Sequence, residues 1–194
     1  TPIYKLARLM HEYEGLAFVD YAASAPYEPI NMNPKGEMEK LDAIFFSPHK
    51  FLGGPGSAGI IIFDSKIYKL DVPDQPGGGT VDWTNRWNQY KYVDDIEARE
   101  DGGTPPFLQT CRVALAVLLK EKMDTEKIEA REKELLDIVF PGLESIDNVR
   151  ILADNIKDRL GIISFYMEGI HFNLVVKLLN DHFGIQTRGG CACA

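Results

Sequence analysis

A serine, a histidine and a lysine that could act together on one small molecule lie within four residues, in Ser47-Pro48-His49-Lys50. Apolar runs precede and follow them, so we expect a loop between two buried strands, where chemistry is often placed. A lysine amine can form a Schiff base with an aldehyde cofactor. Ser47 and His49 can donate hydrogen bonds to a phosphate, and the glycine-rich turn 53–56 allows close backbone approach. On residue chemistry alone, a solvated surface lysine is the alternative.

A carboxylate stands at the end of another apolar run. Asp20 follows residues 16–19, which we predict to be a buried strand. In open α/β sheets, ligands bind at the carboxyl ends of strands. Asp20 is therefore a candidate ligand-binding residue, and an ordinary turn aspartate is the alternative.

Two further positions have types suited to binding or catalysis. Thr104 precedes two prolines and a predicted helix, so it can cap that helix or bind an anion at the helix N-terminus. Cys191 and Cys193 are separated by one residue. A zinc site is disfavoured because no second Cys/His pair completes it, which leaves two inert cysteines or nucleophilic sulfur chemistry.

The elements that must position these residues follow from the apolar patterning. Predicted helices span residues 1–14, 106–122, 126–139 and 172–183. Predicted strands span residues 16–19, 43–46, 59–63, 149–152, 161–166 and 185–188, with a short edge strand at 90–93. We expect Thr1 to cap the first helix and Pro141 to end the third. The glycine run 77–79 has the composition of a flexible linker, and Cys111 that of a small core residue.

Composition narrows the function classes. The 194 residues are 45% hydrophobic and 26% charged, which is typical of a globular protein, and the net charge of −8 argues against a nucleic-acid or anionic-membrane surface. No apolar run approaches the roughly 20 residues needed to span a bilayer. Three cysteines make no disulfide framework, so we expect a reducing cytoplasm. The chain starts with a threonine and stops without a closing element, so we expect a piece of a longer protein.

One segment resembles a known family. LDAIFFSPHKFLGGPGSAGIIIF is similar to the lysine segment of class V aminotransferases, which include cysteine desulfurases and selenocysteine lyases. That segment has an apolar strand, S-x-H-K, a short apolar link, G-x-G and another strand. The resemblance covers nearly the whole chain but only part of the family's length. It implies an α/β fold of the pyridoxal-phosphate-dependent fold type I. Residues 1–123 would be part of the cofactor-binding large domain, and residues 124–194 part of a truncated α+β small domain.

The resemblance also implies roles for individual residues. Lys50 would form the Schiff base with pyridoxal 5'-phosphate and carry protons, and Ser47 and His49 would bind the cofactor phosphate. Residues 20–23 resemble the family's D-x-A-x segment, whose aspartate pairs with the pyridine nitrogen. Asp20 would thus keep the ring protonated, so that it can accept electrons from the substrate.

Two more segments match the family near the end of the large domain and at the end of the chain. Residues 99–105 resemble its E-x-G-T-P segment, whose threonine reaches the cofactor phosphate of the other subunit. The resemblance thus implies this role for Thr104 and a homodimer. RGGCACA resembles R-x-G-x-x-C-A, which places Cys193 at the desulfurase nucleophile and Arg188 in the substrate pocket. Cys191 falls where other members carry histidine or serine.

The resemblance implies a pyridoxal-phosphate-dependent enzyme acting on an amino acid, of the cysteine desulfurase or selenocysteine lyase kind. Ala23 departs from the pattern, since desulfurases usually carry glutamine there, and this leaves the reaction subtype open. The alternatives are a class V aminotransferase proper, or a folded fragment without cofactor or activity. A phosphate-binding module is disfavoured because the G-K-[ST] of a P-loop is absent. We expect a cytoplasmic protein without a metal site, and we expect residues 1–194 alone to be inactive because the upstream half of the large domain is missing.

Overall fold

The computed structural model describes residues 1–190, which have a mixed α/β structure. Its contacts divide the chain into two compact units, Thr1–Thr125 and Glu126–Ala194. The first unit has two small sheets and the second has one, and each unit has its own helices.

A three-stranded sheet in the order β1-β2-β3 is the centre of the first unit. Its strands are β1 (Phe18–Asp20), β2 (Ala43–Phe46) and β3 (Ile60–Phe63). β1 runs parallel to β2, and Asp20 lies opposite Phe45 in the register. The carboxyl ends of β1 and β2 therefore lie at the same edge of the sheet. β3 is antiparallel to β2, so the chain returns from that edge after the lysine segment.

Three helices and a hairpin complete the first unit. The helices are α1 (Ile3–Glu12), α2 (Ile96–Glu100) and α3 (Phe107–Met123), and the hairpin pairs β4 (Val81–Thr84) with β5 (Tyr90–Tyr92). Pro2, not Thr1, is the N-cap of α1 and makes no side-chain cap bond, so the predicted threonine cap is wrong. In residues 1–190, no helix is both long enough and apolar enough to cross a membrane.

The two faces of the first sheet have different surroundings. Cross-strand partners share a face, and successive residues alternate between faces. Ile44 is only 2% exposed, and it packs in a core cluster that also holds Ala7, Phe51 and Ala116. The opposite face presents large apolar side chains to solvent, with exposed fractions of 56% at Phe18, 38% at Phe45 and 62% at Ile61.

The second unit is built on two helices and a two-stranded sheet. Its elements are α4 (Thr125–Glu144), β6 (Val149–Ile151), antiparallel β7 (Phe165–Met167) and α5 (Phe172–Phe183). Phe140 is buried, and two cations lie over its ring: Lys157 Nζ at 4.0 Å and Arg159 Cζ at 5.1 Å from the centroid.

Two predictions for the second unit are wrong. Pro141 does not end α4, because the helix continues to Glu144 and the Pro141 carbonyl accepts a hydrogen bond from the Ser145 amide at 3.0 Å. Proline removes its own amide from the ladder and crowds the carbonyl four residues earlier, but its own carbonyl can still accept a bond, as it does here. The strand predicted over residues 185–188 is also absent, since this stretch pairs with no strand among the described residues.

Candidate functional site

An open cleft of about 320 Å³ lies at the edge where β1 and β2 end. It contains two of the residues predicted to bind a cofactor, Asp20 and Ser47. Its other lining residues are Ala22, Phe45, Phe46, Gly59, Ile60 and Ile61. The cleft thus combines an apolar strand surface with a carboxylate and a hydroxyl, which is the usual make-up of a small-molecule site.

Asp20 is the last residue of β1 and is exposed. Its Oδ1 accepts a hydrogen bond from the Ala22 amide at 2.7 Å, which fixes the carboxylate in a turn. Among the described residues, Oδ2 makes no hydrogen bond. One oxygen of a positioned carboxylate is therefore available to a ligand in the cleft.

The lysine segment forms a single turn of 3-10 helix, Pro48–Lys50, directly after β2. The Lys50 amide donates to the Ser47 carbonyl at 3.0 Å, and the Phe51 amide donates to the Pro48 carbonyl at 2.9 Å. His49 and Lys50 are exposed and are not among the residues that line the cleft. The structure therefore places Asp20 and Ser47 in one cleft, with Lys50 one turn further along the chain.

The glycine turn after the lysine packs back onto the turn that holds it. A Cβ atom at Gly54 would lie 1.8 Å from the Pro48 carbonyl oxygen, a distance at which no side chain fits. Gly53 and Gly56 have φ angles of +77° and +84°, in the region that favours glycine. Residues 53–56 therefore pack closely against the end of the lysine turn. The approach of this backbone to a phosphate stays a prediction.

The segment with Thr104 is held by the glycine run 77–79. The Gly103 amide donates to the Gly78 carbonyl at 2.8 Å, and a Cβ at Gly77 would lie 3.2 Å from the Gly102 carbonyl carbon. The prediction of a flexible linker is therefore wrong, because Gly78 is hydrogen bonded to Gly103 and Gly77 packs closely on Gly102. Thr104 is exposed and does not cap α3, whose N-cap is Pro106, so the predicted cap is also wrong.

The remaining predicted residues are Arg188 and the three cysteines. Arg188 is exposed in the irregular segment after α5. Cys191 and Cys193 lie outside the described residues. Cys111 is exposed on α3, so the prediction of a core cysteine is wrong. Within residues 1–190, no group of three His, Cys, Asp or Glu side chains is arranged to hold a metal ion.

A buried ion pair supports the start of β2. His11 Nε2 lies 2.8 Å from Asp42 Oδ2, and His11 Nδ1 lies 2.8 Å from the Met38 carbonyl oxygen. A carbonyl and an ionised carboxylate only accept, so both contacts are satisfied together when His11 carries a proton on each ring nitrogen. The hydrogen bond to Asp42 raises the pKa of His11. Burial acts to raise the pKa of Asp42, but hydrogen bonds from the Ala17 amide and His11 outweigh it, and that pKa is lowered.

Two cationic side chains of α3, Arg112 and Lys120, contact backbone segments near the cleft, and sequence reasoning missed both of them. Arg112 and Lys120 are eight residues apart with Ala116 midway, so all three share one helix face. Ala116 is 2% exposed. The signal that could have found the pair is the regular spacing of two cations around a small residue.

Comparison with known proteins identifies the family. The family model described as aminotransferase class-V matches residues 1–194. The chain belongs to the class V aminotransferase family. It is 28% identical to a cysteine desulfurase of Haloferax volcanii, over 100% of this chain and 43% of that protein. It is also 28% identical to a probable cysteine desulfurase of Mycobacterium leprae, over 100% of this chain and 45% of that protein.

Solved structures agree with the family assignment. The apo cysteine desulfurase of Thermococcus onnurineus matches at a TM-score of 0.84 and 26% identity, over 100% of this chain and 46% of that one. A C-DES mutant with glycine covalently linked to its PLP cofactor matches in fold, with a TM-score of 0.75, 18% identity and coverage of 96% and 48%. This class V chain therefore has part of the fold type I architecture, and it spans about half the length of the relatives it matches.

Proposed function

We propose that the complete protein is a pyridoxal-phosphate-dependent enzyme that acts on an amino acid, of the cysteine desulfurase or selenocysteine lyase kind. The observation that carries the proposal is the cleft at the ends of β1 and β2, which brings together Asp20 and Ser47. Lys50 follows Ser47 by one turn of 3-10 helix. The cleft is part of a chain that the class V family model matches from end to end.

The side chains at this edge have the chemistry that pyridoxal phosphate requires. Asp20 offers a carboxylate oxygen that can pair with a protonated pyridine nitrogen. Ser47 and His49 can donate hydrogen bonds to the phosphate group. When bound, the cofactor supplies an aldehyde that condenses with amines and a ring that accepts electrons. These residues therefore fit the cofactor, and Asp20 would keep its ring nitrogen protonated.

Lys50 is the residue that would attach the cofactor and move protons at the substrate Cα. Its backbone is held at both ends, by the hydrogen bond to Ser47 and by the close packing of Gly54 on Pro48. Its side chain is exposed, so the amine is accessible to a ligand. A fixed backbone with a free amine suits a lysine that must act on a bound molecule.

Thr104 would bind the phosphate of a second subunit, in a homodimer of the complete protein. The support is its exposure and the fixed backbone beneath it, since Gly103 is hydrogen bonded to the glycine run. A threonine on such a rigid and exposed segment can donate its hydroxyl across an interface.

Cys193 would accept the substrate sulfur as a persulfide, and Arg188 would bind the substrate. The support is the match of RGGCACA to the family segment, together with the curated relatives, which are named as cysteine desulfurases. A nearby arginine also favours the thiolate form of a cysteine, which is the nucleophile.

A class V aminotransferase is the second candidate. Ala23 stands where desulfurases usually carry glutamine, and it is exposed directly after the turn that holds Asp20. An alanine cannot donate the hydrogen bond that the glutamine makes to the cofactor. The substitution favours a reaction that does not depend on that contact.

Cys193→Ala in the complete protein distinguishes the two candidates, with Cys191→Ala as the matched control. A desulfurase needs the thiol, so sulfide release from cysteine should fall below detection in Cys193→Ala while the visible absorbance of bound cofactor is retained. Cys191→Ala should retain most of the release. If wild-type protein releases no sulfide but transfers amino groups, and Cys193→Ala transfers them equally well, the desulfurase proposal is wrong and the aminotransferase is supported.

A further inference from the structure

One face of α3 touches both loops that bear the proposed cofactor residues. Arg112, Ala116 and Lys120 are four residues apart in turn, so they lie above one another on the helix. Ala116 is 2% exposed and belongs to the same core cluster as Phe51, the residue after Lys50. The small side chain lets the helix approach the lysine turn closely, with a cation on either side of the contact.

Arg112 binds the glycine turn that follows the lysine. Its Nη1 donates to the Pro55 carbonyl oxygen at 2.5 Å. The same nitrogen lies 2.8 Å from the position a Cβ would take at Gly56. The guanidinium therefore packs directly on the glycine backbone, and a charged donor makes this a strong hydrogen bond.

Lys120 binds the loop that follows Asp20. Its Nζ donates to the Glu28 carbonyl oxygen at 2.5 Å and lies 5.8 Å from the centroid of the Phe51 ring. The side chain is half-buried, and burial lowers its pKa. The partly desolvated Lys120 ammonium donates a hydrogen bond to the Glu28 carbonyl. This bond fixes the end of the loop from Asp20 to Glu28 against α3.

We propose that Arg112 and Lys120 are positioning residues that hold the Lys50 turn and the Asp20 loop in a fixed relation from one helix face. The proposal rests on the proposed function, because it assumes that Lys50 and Asp20 act on a bound cofactor. Neither cation touches the reacting atoms. Each acts through a backbone carbonyl, and the single helix links the two loops so that the amine and the carboxylate meet the same ligand.

The test uses Arg112→Gln and Lys120→Met in the complete protein. Lys120→Met keeps the packing on Phe51 and removes the donor. Arg112→Lys restores a cationic donor, and Lys122→Met is the matched control because Lys122 is an exposed lysine of the same helix. Two readouts are needed: amide hydrogen exchange in the apoprotein, and kcat and KM for sulfide release from cysteine.

Loss of Arg112 should speed exchange of the Gly54 and Ser57 amides, which are hydrogen bonded within the turn. A lost charged hydrogen bond is expected to give about tenfold faster exchange. Loss of Lys120 should speed exchange of the Tyr27 and Glu28 amides to a similar extent. In both variants kcat should fall about tenfold while KM changes less than about twofold. Arg112→Lys should recover most of kcat, and Lys122→Met should match wild type.

Three results would overturn the proposal. The first is unchanged exchange in both loops, and the second is faster exchange with unchanged kcat. The third is an equal rise in exchange over the whole chain that Arg112→Lys does not reverse, which would indicate a general stability role. Failure of the proposed function gives a different result from failure of this proposal. In that case the wild-type protein shows no absorbance band of bound cofactor and no sulfide release. Amide hydrogen exchange then still tests whether Arg112 and Lys120 fix the two loops.

Discussion

The carboxylate of Asp20, a residue that lines the cleft, has one oxygen bound by its own turn and one oxygen without a hydrogen bond among the described residues. Asparagine can keep the first contact, because its side-chain oxygen also accepts from the Ala22 amide. It cannot hold a proton on a pyridine nitrogen as a carboxylate does. Asp20→Asn should therefore keep the visible absorbance of bound cofactor and lose turnover by at least about tenfold, since the ring would no longer be a strong electron acceptor.

Asp64→Asn is the matched control for that substitution. Asp64 caps the 3-10 turn after β3 by accepting from the Lys66 amide at 3.0 Å, which is the same local geometry. It is not among the residues of the cleft. Steady-state turnover should be unchanged in Asp64→Asn, and equal turnover in Asp20→Asn and wild type would mean that the ring nitrogen is not paired with Asp20.

The His11–Asp42 pair predicts how stability depends on pH. The pKa of His11 is raised above 6.5, so its contribution is complete below pH 6.5 and is lost as the pH rises through the higher, folded value. The pKa of Asp42 is lowered below 3.8, so its contribution is complete above pH 3.8 and is lost as the pH falls through the lower, folded value. Between pH 3.8 and 6.5 the pair contributes most.

Asp42→Asn removes one partner of this buried pair. We expect the free energy of unfolding at pH 6 to fall by about 3–5 kcal/mol, because the His11 charge is left buried. The loss should shrink as the pH rises through the raised pKa of His11, because the charge is then lost. Urea unfolding at several pH values measures this, with Asp181→Asn on the exposed Lys177 pair as a control that should change by less than about 1 kcal/mol. An equal effect of the two substitutions would contradict the account.

Glycine to alanine substitutions at Gly54 and Gly142 should change the free energy of unfolding in opposite directions. At Gly54 the new Cβ meets the backbone oxygen of Pro48 at 1.8 Å, so Gly54→Ala should lower the free energy of unfolding by about 1–3 kcal/mol and abolish cofactor binding. At Gly142, inside α4, nothing lies within 4 Å of the new Cβ. Gly142→Ala should raise the free energy of unfolding by about 0.5–1 kcal/mol. Thermal unfolding of both variants checks the signs, and a tolerated Gly54→Ala would mean that the turn is not fixed by this contact.

Elements with strong local patterns were predictable from the sequence. β2 and α5 have the predicted bounds, because a compact apolar run and a regular helical spacing determine them. The prediction of a strand over residues 185–188 was wrong, because a strand forms only beside a neighbouring strand. A local apolar pattern does not reveal whether such a neighbour is present. The prediction that the glycine run 77–79 is a flexible linker was wrong for a similar reason. The residue that binds this run, Gly103, is distant in sequence, so no local pattern reveals the contact.

The candidate site was predictable to a smaller extent. Motifs identified Asp20 and Ser47, and the parallel pairing of β1 with β2 explains why they share a cleft. Arg112 and Lys120 were not predicted because they bind backbone carbonyls, which have no sequence identity. Contacts of this kind depend on how α3 packs, and only the structure shows that.

At the scale of the molecule, the exposed face of the first sheet predicts the behaviour of this chain by itself. Parallel strands are usually covered on both faces, whereas Phe18 and Phe45 on the parallel pair β1–β2 are exposed here. We propose that residues 1–194 produced alone bind a hydrophobic dye and do not retain pyridoxal phosphate, because the chain spans about half the length of its relatives. Dye fluorescence and the visible spectrum measure this, and a stoichiometric cofactor band would show that the short chain suffices.

The central claim is that Lys50 is the residue that binds pyridoxal phosphate covalently. Borohydride reduction of the complete protein with its cofactor, followed by peptide mapping, tests it most directly. The account predicts a stable cofactor label on Lys50 and none on Lys66, the exposed lysine of the next 3-10 turn. Lys50→Ala should lose the label entirely. A label on any other lysine of the wild-type protein, or an undiminished label in Lys50→Ala, would contradict it.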